Sequence, residues 1–212
     1  MRIVAHRLCY DDGRSYPFVL SPNIGPLIKG HQLLVLHYSG GQSAEQTVAW
    51  LARRKSLASA HLVIGRGGEI TQLVPFDVVA WHAGPSVWKG KTRLSEYSLG
   101  IELDNPGMLK PQAGKWFSGF KRAYPETAFI KAQHKFGARV YGWPTFTPEQ
   151  LHAAAEVSAH LVRTYSLSEI VGHDDIAPKR KWDPGPAFPM EQFRSDVLGA
   201  AAALPEPKWR PK

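Results

Sequence analysis

The chain has 212 residues, of which 43% are apolar and 21% are charged, so it can bury the core of one domain and is too apolar to be disordered. Its formal net charge of +8 at pH 7 favours anionic partners, such as nucleic acids, membrane surfaces or acidic glycans. A single cysteine, Cys9, excludes an intramolecular disulfide and a metal site built from cysteines.

The sequence indicates neither a membrane anchor nor a nucleic-acid-binding motif. The N-terminus lacks the apolar core of a signal peptide and no run of about 18 apolar residues occurs, so we expect a cytosolic protein that does not enter membranes. Loss of a leader, or export as a phage-type lysin, would also fit this sequence. The basic residues are spread along the chain, which favours a generally basic surface over a nucleic-acid groove. An obligate protein partner is not indicated.

The chain begins with an irregular segment, and a strand follows it. Several prolines and glycines interrupt residues 1–30, which predicts an irregular N-terminal lead-in. The short apolar run at 33–36 predicts a buried strand that ends at His37. His37 is then either a site residue at a strand end or a hydrogen-bonded core histidine.

A helix, a hairpin and a short strand are predicted next. Ser43 and Gln46 form a capping-box signature, and the helix that they start reaches about residue 54. Two strand-like runs then flank a Gly-Gly turn, which predicts a β-hairpin. The short strand that follows ends in Trp81 and His82. These two residues either line a groove, or Trp81 belongs to the core and His82 to the polar surface.

A strand at 98–104 places Glu102 on the face opposite to that of its apolar neighbours. A carboxylate in an apolar strand needs a partner or a function, unless the sheet is half open and the side chain is exposed. Residues 106–146 follow without a clear period and mix aromatic with basic side chains. We interpret them as an insertion that is packed by its own aromatic rings along one side of a cleft.

Two helices and one strand complete the predicted fold. Thr147, followed by proline and then glutamine, starts a helix that reaches about residue 165. A short strand at 168–172 leads into His173, and a last helix covers about 190–203. Strands that alternate with capped helices indicate the α/β class, as a single domain with a central mixed β-sheet flanked by α-helices.

The stretch GHDDIAPKRKWDPGP carries the strongest chemical signal. Its prolines make a stiff loop that can bring His173 and Asp183 together, unless it is only a charged surface loop. With His37 these two complete a set of two imidazoles and one carboxylate, which leaves one position open in a catalytic zinc site. Glu102 would then accept the proton of a water molecule, and Lys181 would stabilise an oxyanion. The set suits metal-assisted hydrolysis of an amide.

Four stretches occur in an order typical of one family: VLHYSGG at 35–41, SAHLVIGRGGEITQLVPFDVVAWHAG at 59–84, SLGIEL at 98–103 and GHDDIAPKRKWDPGP at 172–186. In these stretches the chain resembles the zinc-dependent N-acetylmuramoyl-L-alanine amidases. That family includes cytoplasmic muropeptide-recycling amidases, small phage lytic amidases and animal peptidoglycan recognition proteins. The resemblance implies one zinc ion per chain and site residues of three kinds: the zinc ligands His37, His173 and Asp183, the catalytic residues Glu102 and Lys181, and His61 and His82 as residues that bind substrate or support the site. Trp81 is added to the candidate substrate-binding residues because of its position beside His82.

The resemblance implies hydrolysis of the amide between the lactyl group of N-acetylmuramic acid and L-alanine of the stem peptide, in peptidoglycan or a muropeptide. It also implies a mixed sheet with the zinc in a groove on one face. We expect the catalytic domain to span residues 31–204, before a frayed tail at 205–212. Two features depart from the family. Ala60 stands where some lytic members have a tyrosine, which leaves the acid–base role to Glu102 as in the recycling branch, and the 106–146 segment is longer than in compact members.

Four functional hypotheses remain open at the level of the sequence. A recycling amidase that acts on soluble muropeptides fits the lack of a signal peptide. A lytic amidase that acts on polymeric wall fits the basic surface and the aromatic insertion. A peptidoglycan-binding protein without catalysis would have lost zinc ligands, and all three are present here. A nucleic-acid-binding protein rests on charge alone and would lose affinity steeply with salt.

Overall fold

The computed structural model describes residues 1–205. Its strands are β1 (Arg2–Val4), β2 (Arg7–Cys9), β3 (Ile24–Leu27), β4 (Leu33–Tyr38), β5 (Leu62–Ile64), β6 (Ile70–Gln72), β7 (Val78–Ala80), β8 (Val87–Trp88), β9 (Lys91–Thr92), β10 (Ser98–Leu103), β11 (Lys110–Gln112), β12 (Lys115–Phe117), β13 (Ala123–Tyr124), β14 (Phe129–Gln133), β15 (Val140–Pro144) and β16 (Glu169–Gly172). Its α-helices are α1 (Ala44–Leu51), α2 (Pro148–Tyr165), α3 (His173–Ile176) and α4 (Met190–Ala203).

Five strands form the central sheet, in the order β16-β4-β10-β5-β6. The first four are parallel to one another, and β6 is antiparallel to β5. The β5–β6 pair is the hairpin that the Gly-Gly turn predicts. The sheet is therefore mixed, and the predicted α/β class with a central mixed sheet is confirmed.

The parallel strands carry the candidate site residues to one edge of the sheet. The Cα register pairs Glu102 of β10 with His37 of β4, and Gly172 of β16 with Leu36. His173, the next residue after β16, therefore lies level with His37 and Glu102. Strand register alone brings together three residues that are far apart in the sequence.

The two faces of the sheet have different neighbours. Leu34 and Leu36 of β4, together with Leu99 and Ile101 of β10, are fully buried in a core that includes residues of α2 and α4. Successive side chains of a strand point to opposite faces, so His37 points away from this core. The two long helices thus cover one face of the sheet, and the candidate site occupies the other.

Helix α2 begins as its sequence predicts. The Thr147 side chain accepts a hydrogen bond from the backbone N–H of Gln150 at 3.2 Å, and Pro148 occupies the first turn, where its missing N–H costs nothing. Ser166 ends the helix in the left-handed conformation. Residues of its buried stripe, such as Leu161, share the core with the sheet and α4.

Residues 1–30 are more regular than the predicted lead-in. Strands β1 and β2 form an antiparallel hairpin, and β3 pairs with β7. The turn of the hairpin uses Ala5 and His6 at φ values of 46° and 62°, a left-handed pair that glycine or asparagine usually marks in a sequence. Leu8 of this hairpin is fully buried in the main core, so this segment packs as part of the fold.

The 106–146 segment also contains strands that its composition does not predict. Strands β11, β12 and β13 form a small antiparallel sheet, and β14 and β15 form a hairpin. Rings within the segment pack together, with the centroids of Trp116 and Phe129 5.3 Å apart. His134 joins the segment to the central fold, because its Nε2 lies 2.9 Å from Oδ2 of buried Asp174.

Pro205 is the last residue that the structure describes, so the rest of the predicted tail at 205–212 lies outside the described residues. Among residues 1–205, the helices are all too short or too polar to cross a membrane.

Candidate active site

Two histidines and one aspartate converge at the edge of the sheet. His37 lies near the end of β4, His173 begins α3 directly after β16, and Asp183 lies in the loop that follows. The two Nδ1 atoms are 2.8 Å apart, and each lies 2.9 Å from Oδ2 of Asp183. All three side chains are buried. The three donor atoms form a group of the size that can hold a metal ion.

The opposite ring nitrogens show which atoms are free to bind a metal. Nε2 of His173 lies 3.1 Å from the carbonyl oxygen of Ala83, so it carries the proton and donates. Its Nδ1 therefore presents a lone pair to the shared centre. Lone pairs of two imidazoles that converge with a carboxylate need a cation between them, and two nitrogens with one oxygen form a donor set that zinc accepts. The residues thus fit a zinc ion.

His37 is oriented in the same way through a chain of buried polar groups. Ser98 donates its hydroxyl proton to the carbonyl oxygen of Leu94 at 2.7 Å, so Ser98 Oγ accepts from His82 Nε2 at 3.2 Å. His82 Nδ1 is then an acceptor, and it lies 3.0 Å from His37 Nε2. The chain places a proton on Nε2 of His37 and leaves its Nδ1 free. Such outer hydrogen bonds fix the tautomer and the ring orientation of a metal ligand.

Burial keeps the two linked histidines neutral. Desolvation, followed by the nearby His173, lowers the pKa of His37 to about 4, although Asp183 opposes this shift. Desolvation, followed by His37, also lowers the pKa of His82 well below its usual value. Neutral imidazole is the form that binds a metal, so the environment favours binding at neutral pH.

Gly100 makes room for the ring of His82. A Cβ atom at position 100 would lie 2.5 Å from Cγ and 2.6 Å from Nδ1 of His82, closer than real Cβ contacts. The glycine in SLGIEL is therefore required by the close approach of an imidazole to the backbone of β10.

Glu102 reaches the same place from β10. One of its carboxylate oxygens, Oε2, is buried and has no hydrogen-bond partner among the described residues. Burial, followed by the charge of Asp183, raises the pKa of Glu102 well above its usual value, and Lys181 partly opposes this shift. A buried carboxyl group without a partner is costly unless it has a function, and a raised pKa suits exchange of protons near neutral pH.

One cavity of about 290 Å³ collects seven of the eight predicted site residues: His37, Trp81, His82, Glu102, His173, Lys181 and Asp183. Trp81 is 41% exposed and His82 is only 7% exposed. The alternative of a core tryptophan beside a surface histidine is therefore wrong. Trp81 is thus available at the cavity, and His82 acts mainly behind His37.

His61 is the exception among the predicted site residues. It is fully buried, its Nε2 lies 3.0 Å from the carbonyl oxygen of Val78, and its Nδ1 accepts from the backbone N–H of Gly100 at 3.0 Å. Both ring nitrogens are therefore occupied by backbone groups. The ring therefore ties neighbouring strands together. This position is compatible with a supporting role for His61, and its contact with substrate stays a prediction.

Trp182 and Tyr38 also line the cavity, and neither was predicted. The ring centroid of Trp182 lies 4.8 Å from that of His134, so the insertion packs against the short segment between Lys181 and Asp183. Trp182 stands between Lys181 and Asp183 in the sequence, and Tyr38 directly follows His37. This adjacency to candidate site residues could have identified both as residues that line the cavity.

Comparison with known proteins agrees with this geometry. The family model described as N-acetylmuramoyl-L-alanine amidase matches residues 29–186, which is more than half of the chain. N-acetylmuramoyl-L-alanine amidase AmiD of Escherichia coli is 33% identical over 177 residues, which cover 80% of this chain and 54% of AmiD. The 1,6-anhydro-N-acetylmuramyl-L-alanine amidase AmpD of Escherichia coli is 36% identical over 138 residues, which cover 64% of this chain and 56% of AmpD. The chain thus spans about half the length of these relatives.

Solved structures show the same fold. A selenomethionine derivative of AmpD superposes with a TM-score of 0.62 at 27% identity and covers 93% of this chain and 99% of its own. Escherichia coli AmiD, in complex with anhydro-N-acetylmuramic acid-L-Ala-D-gamma-Glu-L-Lys, superposes with a TM-score of 0.60 at 30% identity and covers 83% of this chain and 58% of its own. The family model, the relatives and the solved structures all confirm the predicted resemblance. The chain belongs to the N-acetylmuramoyl-L-alanine amidase family.

Proposed function

We propose that this protein is a zinc-dependent N-acetylmuramoyl-L-alanine amidase with one zinc ion per chain, and that residues 31–204 form its catalytic domain. It would hydrolyse the amide that joins the lactyl group of N-acetylmuramic acid to L-alanine of the stem peptide. The observation that carries this proposal is the convergence of three metal donors with Glu102, one of whose carboxylate oxygens is buried and unpaired, in one cavity. A structural metal site would not need an acid with a buried, unpaired oxygen beside it.

We propose His37, His173 and Asp183 as the ligands. Zinc in such a site supplies Lewis acidity to the scissile carbonyl and to the attacking water. The donor set carries one formal negative charge, so a divalent ion keeps a net positive charge for this purpose. Ser98 and His82 would hold His37 in the orientation that presents Nδ1.

Glu102 is the proposed general base and acid. It takes one proton from the attacking water while the water oxygen bonds to the carbonyl carbon. It then gives that proton to the alanine nitrogen as the C–N bond breaks, so the products are a lactyl carboxylic acid and a free amine. A carboxyl group whose pKa is raised can accept the first proton and still release it to the amine.

Lys181 is the proposed stabiliser of the oxyanion. Lys181 lines the same cavity as Glu102 and Asp183. Negative charge develops on the carbonyl oxygen when water attacks, and a fixed cation stabilises that charge most strongly where solvent is excluded. Trp81, exposed at the same cavity, offers a ring surface to the sugar or to the peptide.

Small muropeptides are the first substrates to test. AmiD has been solved with anhydro-N-acetylmuramic acid-L-Ala-D-gamma-Glu-L-Lys, and AmpD is named for the 1,6-anhydro form of the sugar. These names support a soluble anhydromuropeptide as substrate, as in recycling. A lytic enzyme would instead prefer intact sacculi, so the two substrates are compared in the same assay.

The test is digestion of the anhydromuropeptide in ¹⁸O-labelled water, followed by mass spectrometry. We expect a free peptide that begins with L-alanine, and one ¹⁸O atom in the lactyl carboxyl group. Glu102→Gln should reduce the rate by about 10²- to 10⁴-fold, whereas Glu191→Gln, at an exposed position of α4, should not. Binding of the muropeptide by zinc-loaded wild type without release of peptide would contradict the proposal and favour a non-catalytic binding protein.

A further inference from the structure

A second and larger cavity lies beside the catalytic one. Its volume is about 1060 Å³, and it is bordered mainly by residues of the 106–146 segment. We call it the lysine cleft and define it by Tyr38, Met108, Lys110, Lys115, Phe117 and Lys121. Tyr38 lines the lysine cleft and the catalytic cavity alike, so the two cavities adjoin at this side chain.

The lysine cleft is cationic. Three lysines line it, and its lining contains no aspartate or glutamate. All three are exposed, and none of them forms an ion pair with a residue in the described part of the chain. Lys131 of the same segment behaves differently, since it pairs with Glu126 at 2.7 Å. Positive charge is therefore left uncompensated on the side of the insertion that faces the cleft.

Strand register explains how two of the three lysines, Lys110 and Lys115, come to share one surface, and Lys121 lies in the turn that follows β12. In the β11–β12 hairpin, Lys110 pairs with Phe117 and Gln112 pairs with Lys115. Paired residues lie on the same face of a sheet, and so do residues two apart, so these four side chains share one face. Trp116 lies on the other face and packs against the segment's own aromatic core. The hairpin thus has one packed face and one that lines the cleft.

The boundary between the two cavities is held in place. A Cβ atom at Gly107 would lie 2.5 Å from the ring of Tyr38, so the insertion begins in close contact with that ring. Asn105 accepts from the N–H of Gly107 at 2.9 Å and donates to the carbonyl oxygen of Pro144 at 2.9 Å. The two ends of the insertion are thereby joined beside Tyr38, which fixes the position of the lysine cleft relative to the catalytic cavity.

The chemistry of the substrate indicates which half the lysine cleft would receive. In an N-acetylmuramoyl peptide the lactyl carboxyl group is part of the scissile amide, so the sugar half has no free carboxylate. The stem peptide carries a free carboxylate at each γ-linked glutamate and at its C-terminus. A cationic cleft adjoining the catalytic cavity therefore matches the stem half.

We propose that the lysine cleft binds the stem peptide of the muropeptide through its carboxylates, from the γ-linked glutamate onward. This inference rests on the proposed amidase function. The cleft has the volume of a site for a short peptide, and Met108 and Phe117 offer apolar surface to its aliphatic parts. Contacts made equally before and during the reaction lower KM rather than raise kcat, so the lysines act on substrate affinity.

Two substrates separate charge recognition from the chemical step. One is anhydro-N-acetylmuramic acid-L-Ala-γ-D-Glu-L-Lys, and the other is anhydro-N-acetylmuramic acid-L-alaninamide, which has no stem carboxylate. In the triple variant Lys110→Gln, Lys115→Gln, Lys121→Gln, the ratio of the tripeptide KM to the alaninamide KM should rise about tenfold, from three exposed charge pairs. Lys131→Gln is the matched control and should leave that ratio at the wild-type value.

Direct binding tests the lysine cleft without relying on cleavage. Calorimetry with the free peptide L-Ala-γ-D-Glu-L-Lys should give a Kd that is about tenfold weaker in the triple variant, and this difference should shrink as salt rises. If wild type binds the peptide in this way but cleaves neither substrate, the cleft proposal stands and the amidase function fails. If cleavage proceeds and the triple variant keeps the wild-type KM ratio and Kd, the cleft proposal is overturned. The cleft proposal is also overturned if the triple variant binds an anionic wall polymer more weakly than wild type but binds the free peptide as tightly as wild type.

Discussion

Replacing Gly100 with alanine should loosen the metal site without touching a ligand. The added Cβ would lie 2.5 Å from Cγ of His82, whose ring is buried and has little room to retreat. The ring must shift, and the 3.0 Å contact between His82 Nδ1 and His37 Nε2 is lost or lengthened. His37 would then lose the partner that fixes its tautomer.

Two magnitudes follow from this change. Overpacking of a full core position costs about 1–3 kcal/mol of folding free energy. Loss of an outer hydrogen bond to a metal ligand lowers metal affinity by about 10- to 100-fold. Zinc affinity should therefore be measured by competition with a chelator, and stability by urea unfolding of the metal-free protein.

Gly199→Ala is the matched control, because Gly199 lies in helix α4 with open space around it. That variant should gain about 0.5–1 kcal/mol of stability and keep the wild-type zinc affinity. Our explanation of the site would be refuted if Gly100→Ala lost stability as expected yet bound zinc as tightly as wild type. His82 would then fill space behind His37 without orienting it.

Three further predictions concern charge, packing and capping. Because burial raises the pKa of Glu102, the folded metal-free protein keeps a proton there that the unfolded chain releases above pH 4.5. The free energy of unfolding of wild type relative to that of Glu102→Gln should therefore be constant below pH 4.5 and fall as pH rises from 4.5 toward the raised pKa. Urea unfolding of both proteins at several pH values measures this difference, and a difference that does not vary with pH would contradict the prediction. Phe193→Ala should lower the free energy of unfolding by about 3–5 kcal/mol, because the ring is buried against Phe188. Leu198→Ala, on the exposed side of α4, should lower it by less than about 0.5 kcal/mol, and equal losses would show that α4 does not pack in this way. Thr147→Ala should cost about 1 kcal/mol through loss of the α2 cap, and a Tm identical to that of wild type would contradict that role.

The sequence was sufficient to predict the residues at the ends of the parallel strands. His37, Glu102 and His173 each follow or interrupt an apolar run that marks a strand, and the carboxyl ends of parallel strands meet at one edge. Asp183 could be linked to them because prolines stiffen the loop in between. These features are local in the sequence, so periodicity and spacing reveal them.

Other parts of the site depend on contacts between distant segments. Ser98 lies behind His82 only because a loop carries His82 across the start of β10, and no spacing predicts that crossing. The sequence likewise does not show whether a histidine faces a groove or the backbone, so it does not reveal that both ring nitrogens of His61 contact backbone groups. The β1–β2 hairpin was missed because Ala5 and His6 make its turn without a glycine.

A zinc titration of the metal-free protein, which follows bound metal and release of stem peptide together, tests whether His37, His173 and Asp183 hold a catalytic zinc ion. We predict that metal-free protein releases no peptide, and that binding and activity both saturate at one zinc ion per chain. His37→Ala, His173→Ala and Asp183→Ala should each abolish both signals at the same zinc concentration. Full activity before zinc is added, or tight binding of zinc after His37, His173 and Asp183 have all been replaced, would show that these residues do not form a catalytic zinc site.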